Sequence, residues 1–158
     1  MGHHEQHSTS SHYLQLGVMA VLSFFAMYVL MYAMVDKFTD VYPNINQFYM
    51  AALMTAPMVA IELLIMRGMY GNPTANAGIL VAAVIVLVGA WLLIRYQAGV
   101  GDEQFLRSMI PHHSGAILMC DNPAISDAGI KDLCARIAAS QQAEIDEMRA
   151  MLDRIIAH

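Results

Sequence analysis

Asp102–Met119, DEQFLRSMIPHHSGAILM, is the stretch on which the reading of the fold turns. It follows the last of three long apolar runs and opens the only soluble segment of any size. Within it Met109, His112, His113 and Met119 set two thioethers and two imidazoles within three helical turns. Thioether and imidazole donors together suit Cu(I) and related soft ions. Counted from Met109 on a helical wheel, His112, His113, Ala116, Met119 and Cys120 gather on one broad face. Adjacent histidines diverge by about 100°, so one is expected to face a helical partner and the other its rim. Pro111 removes a backbone hydrogen bond and is expected to kink the helix beside them. The same residues also read as core methionines and polar bundle histidines.

Downstream, Asp121-Asn122-Pro123 stops this helix, because proline disfavours helical geometry in the residue before it. The spacing predicts a first helix over about 103–120 with Asp102 as its N-cap. A second follows over about 130–156, capped by Ser126 or Asp127. On the second, Cys134, Gln141 and Met148 recur every seven residues, with Ile137, Glu144, Met151 and Ile155 alongside. Glu144 could orient a histidine by accepting its free N–H, or simply be solvated; Met148 and Met151 could be ligands or core. Cys120 and Cys134 fall near the turn of an antiparallel hairpin, where a disulfide is geometrically plausible. Closing it would contribute roughly 3 kcal/mol in the chain-entropy model and would need an oxidising compartment. Left reduced, the two thiols could join the soft ligands. A hairpin covers only part of its apolar face, and two related by a two-fold axis would complete a four-helix bundle. A homodimer or higher homo-oligomer is therefore expected.

Upstream the chain is too apolar for a soluble domain of its 158 residues, with 58% hydrophobic and 13% charged positions and a mean hydropathy of +0.48. The expected division is a polar, His-rich tail over 1–12, a three-span membrane domain over 13–97, and a soluble hairpin domain over 101–158. The tail reads as a frayed terminus or a leftover of cloning more readily than as a metal-binding tail, and lacks the basic residues of a secretory signal. The spans are predicted at 13–35, 48–66 and 78–94, each near bilayer length, which makes membrane lipid the first partner. A net charge of -5 gives no footprint for nucleic acid. Three spans put the first connection and the C-terminal domain on one face. Lys37, Arg95 and Arg107 lie there against Arg67 opposite, and a literal positive-inside count makes that face cytoplasmic.

Fourteen methionines are a further bias. Met27, Met31 and Met34 share one predicted face of the first span, and Met50, Met54 and Met58 recur at steps of four in the second. Such stripes could hand a soft monovalent ion from thioether to thioether, although packing of polarizable side chains is their commoner use. Glu62 is an ionisable residue within a span, a functional candidate by default, or a side chain snorkelling toward Arg67.

The run Met109-Ile110-Pro111-His112-His113, with Gly115-Ala116-Ile117 and Met119, then Ser140-Gln141, Glu144-Ile145 and Met148, resembles the ferritin-like domain-of-unknown-function family 305. The resemblance covers about Asp102–Leu152. Membrane-anchored members with Met- and Tyr-rich first spans are similar to Met27-Tyr28, Met31-Tyr32 and Met34 here. The resemblance implies an all-helical bundle, often in bacterial copper-resistance contexts and commonly exported, so that the C-terminal domain would be periplasmic at a bacterial inner membrane. It maps metal-binding residues onto Met109, His112, His113, Met119 and Met148. Cysteine at 120 and 134, where the family usually has alanine, and Leu118, where it often has an acid, depart from the pattern.

Together these readings give an all-α chain, three spans followed by a hairpin that forms a ferritin-like four-helix bundle on dimerisation. Its expected function is Cu(I) or Ag(I) binding for tolerance or for handover to other copper-handling proteins. The alternative is a structural or interaction module whose hairpin serves oligomerisation. The chain has no Glu-x-x-His pair for a di-iron centre, and no zinc-protease helix, phosphate loop or nucleophile triad. An enzyme is not expected.

Overall fold

The computed structural model describes residues 3–157, with side chains from Ser11 onward. Five α-helices follow in order: α1 His3–Leu30, α2 Ile45–Ile65, α3 Pro73–Arg95, α4 Asp102–Cys120 and α5 Ala128–Ile156. There is no strand among the described residues. Single 3-10 turns at Met31–Met34 and Phe38–Asp40 link α1 to α2. Of the polar tail, residues 1–2 and the side chains before Ser11 lie outside the described residues; from His3 on its backbone is already helical.

Three segments are long and apolar enough to cross a membrane: Ser11–Met34, Ile45–Ile65 and Pro73–Arg95. The third starts five residues before the predicted 78. Asn72 caps it, its Oδ1 accepting from the N–H groups of Thr74 and Ala75, both at 3.1 Å. Pro73 follows at the first helical position, where its missing N–H costs nothing. The Asn-Pro pair before the predicted span is thus a cap and a helix start. The first span loses α-helical geometry after Leu30, so Met27, Met31 and Met34 do not continue one α-helical face.

The chain divides into two compact units, one formed by the chain through Leu30 with Phe48–Ala98, the other by Met31–Gln47 with Gly99 onward. In the first, Leu16, Leu63 and Tyr70 form a small core with Tyr13, Met19, Val59, Ile79 and Leu80 packed on it. Small residues are buried along the helices, Ala51 and Ala56 in α2 and Ala83 and Ala90 in α3, as close helix packing requires. Most large apolar side chains of this unit are exposed, Leu22, Phe25, Ile65 and Ile85 among them.

In the second unit α4 and α5 form a hairpin around Leu106, Ile110, Ile145, Met148 and Leu152. The spacings 106/110 and 145/148/152 are one apolar stripe per helix. The centre of the α5 stripe is therefore Ile145–Met148–Leu152, with Glu144 and Ile155 at its exposed margin. Gly101, not Asp102, occupies the N-cap of α4. Asp102 and Glu103 instead sit in the first turn, where their charges favour the positive end of the helix dipole. Asp127 caps α5, accepting from the Ile130 N–H at 2.9 Å. α4 runs through Pro111 as one α-helix.

Candidate functional site

The buried stripe sets the rotation of α4. His113 lies three residues beyond Ile110, on the side turned toward α5, and its side chain is 12% exposed. His112 is exposed. The two rings sit 6.0 Å apart with planes inclined by 58°. Met109 packs against the hairpin core and Met148 is inside it. Met119, nine residues beyond Ile110 and so on the opposite side of the helix, is 65% exposed. The hairpin thus draws Met109, His113 and Met148 inward and leaves His112 and Met119 facing out.

His113 Nδ1 comes within 3.1 Å of Glu144 Oε2, yet this buried nitrogen has no well-aligned hydrogen-bond partner. The contact is close in distance and poor in direction, so it counts as proximity of charge rather than a formed bond. Burial pushes the imidazole pKa below its usual value, Glu144 opposes the shift, and His112 adds to it. A neutral imidazole, the form that binds metals, is favoured. Glu144 itself is exposed and accepts from Ser140 Oγ at 3.0 Å. Gln141 is half-buried one turn before Ile145, and Met151 packs against the core.

Cys120 and Cys134 meet at the turn end of the hairpin as free thiols. Contact with the Cys134 side chain, more than burial, pushes the Cys120 thiol pKa up. Both line an open cleft of about 640 Å³ with Asp36, Asp121, Lys131 and Ile117. Of the methionines in the spans, Met27 accepts from Thr55 Oγ1 at 3.7 Å, Met50 and Met54 are exposed and Met58 is half-buried. Met31 and Met34 belong with the hairpin unit. Glu62 lies near the end of α2, close enough that its charge, after burial, raises the Tyr70 phenol pKa in the following connection. Among the described residues, no three His, Cys, Asp or Glu side chains gather into a group able to hold a metal ion.

The connection after α1 adds residues that lie outside the predicted site. Asp40 is buried and accepts from Ser114 Oγ at 2.6 Å, while the Asp36 N–H donates to the same hydroxyl at 2.9 Å. Arg149 of α5 pairs with Asp40 Oδ1 and donates to Thr39 Oγ1 at 3.2 Å. Lys37 Nζ donates to Gln142 Oε1 at 3.1 Å, and Tyr42 packs on the hairpin core. The connection is therefore clamped to both helices. Gly115 permits the approach, since a Cβ there would meet the Met34 carbonyl oxygen at 3.2 Å. No sequence pattern announces a pairing between Asp40 and a serine 74 residues on.

Fold and site define an all-helical chain with three bilayer-length helices and a histidine- and methionine-bearing hairpin. Residues 93–152 match the family described as Domain of unknown function (DUF305). An uncharacterized protein of Acanthamoeba polyphaga mimivirus is 36% identical over 139 residues, covering 86% of this chain and 90% of that protein. The chain belongs to the DUF305 family. No solved structure matches it.

Proposed function

We propose that this is a membrane-anchored protein whose hairpin binds Cu(I) or Ag(I), for tolerance or for handover. The observation that carries the reading is His113, a neutral imidazole with a buried Nδ1 lacking a well-formed hydrogen bond, on a hairpin that also carries Met109 and Met148. A buried nitrogen without a partner is costly unless something binds it. Donor chemistry fits a soft monovalent ion: imidazole and thioether, with no acidic cluster for a hard one among the described residues. The exposed His112 and Met119 would then serve exchange with a partner or complete the site from a second copy. Membrane anchoring is supported by the apolar exterior of the first unit, since large side chains on lipid-facing helices need no protein cover. Dimerisation to a ferritin-like four-helix bundle is supported by Phe105, Ile130 and Leu133, large apolar side chains left exposed on the hairpin. A periplasmic site at a bacterial inner membrane rests on the resemblance alone.

Titration of the reduced full-length protein with Cu(I) against a chromogenic chelator tests the metal reading. The wild type should bind more tightly than M109A/H112A/H113A by at least tenfold; equal affinity of the two would end it. Cross-linking in mild detergent should trap a dimer or larger species, and a monomer would remove the bundle.

A second reading has its own observation. Met109, Met148 and Met151 all contribute to the hairpin core, as they would in a structural module that binds no metal. It predicts that their substitution disturbs assembly and leaves metal content unchanged.

A further inference from the structure

The turn end of the hairpin holds two sulfurs that the methionine–histidine reading does not use. Cys120 is the last residue of α4, and Cys134 lies in the second turn of α5. Both are half-buried free thiols, both line the same open cleft, and Cys134 is near enough to push the Cys120 thiol pKa up. We propose that Cys120 and Cys134 form a separate two-coordinate site for a monovalent soft cation, Cu(I) or Ag(I).

Two neighbouring thiols can be bridged by one ion when each gives up its proton. Two S–H bonds break, two S–metal bonds form, two protons leave to solvent and no electron moves. Thiolate donors select Cu(I) over hard cations. The number of donors narrows the choice further. No third His, Cys, Asp or Glu among the described residues completes a group with the pair, whereas a structural zinc site takes four ligands. A d10 monovalent ion is satisfied by two sulfurs in line.

The surroundings suit a cation that must enter and leave. The cleft is open and about 640 Å³ in volume. Cys120 ends α4, and the negative end of a helix dipole favours positive charge there. Two thiolates with one monovalent ion carry a net negative charge. Lys131 on the cleft wall offsets it, while Asp36 and Asp121 on the same wall work against it. The site draws on none of Met109, His113 or Met148, and so stands independently of the function proposed above.

The test is anaerobic Cu(I) titration of the full-length protein, reduced in detergent, read by stoichiometry and by the ultraviolet thiolate-to-Cu(I) charge-transfer band. C120A/C134A should lose one equivalent of Cu(I) and the whole band. M109A/H113A/M148A should keep the band, so that failure of either site is seen separately. C120S/C134S, with helicity checked by circular dichroism, repeats the measurement should the alanine variant misfold. Equal stoichiometry and an unchanged band in the cysteine variants overturn the proposal. So does a reduced wild type without the band, as expected if the pair serves only to close a disulfide.

Discussion

At His113 opposing influences meet, and their balance has a consequence that can be measured. Burial lowers its pKa, the Glu144 carboxylate at 3.1 Å raises it, and His112 lowers it again, with burial dominant. The folded value therefore lies below the unfolded one, near 6.5. As pH falls, the unfolded chain takes up the proton first, so folding stability drops as pH passes down through the ordinary histidine range. Above that range the contribution is fully present. The metal-free wild type should unfold at lower denaturant at pH 5.5 than at pH 7.5, and H113Q should remove part of that difference. Identical pH profiles for the two proteins would show that burial of this ring is not linked to protonation. The sequence required the two histidines to diverge, because neighbours on a helix do. Which one turned inward was fixed by Ile110 and Ile145, whose dominance of the stripe the soft-ligand spacing concealed.

At the level of elements, the connection between α1 and α2 acts as a strap across the hairpin. Its anchor is Asp40, 2% exposed, which takes Arg149 on one oxygen and Ser114 on the other. D40A removes the acceptor from a buried hydroxyl and from a guanidinium that is partly solvated. Hydrogen bonds to charged groups contribute about 1.5–3 kcal/mol each, less where solvent can replace them. The expected loss is about 2 kcal/mol of hairpin stability in a denaturant series, with faster tryptic cleavage after Lys37. Cleavage at the wild-type rate would mean that Tyr42 and Lys37 hold the strap without Asp40. Helices were legible because apolar periodicity and caps are local signals. The strap was not, because its partners are far apart in sequence and each alone is an ordinary polar residue. The start of α3 lay between these cases: Asn72-Pro73 carries a local signal, but turn and cap use the same two residues.

For the whole molecule, what matters is which segments share a unit. Three bilayer-length apolar runs stand out in composition alone, since few other contexts leave so many large apolar side chains uncovered. Sidedness did not stand out, because three basic residues against one near the span ends is too small a margin for a charge count to decide. The structure adds a constraint that the charges lack: the connection holding Lys37 and the hairpin holding Lys131 pack in one unit, so the chain's two lysines belong on one face. If all three segments cross, the connection between α2 and α3 must lie on the other. In sealed vesicles of a single orientation, an impermeant amine reagent should modify Lys37 and Lys131 together or neither. A cysteine introduced as G71C in the C120A/C134A background should react with an impermeant thiol reagent only from the opposite side. Labelling of G71C from the face that exposes the lysines would mean that α2 does not cross. The chain would then have fewer than three spans, although its helices remain long enough for all three.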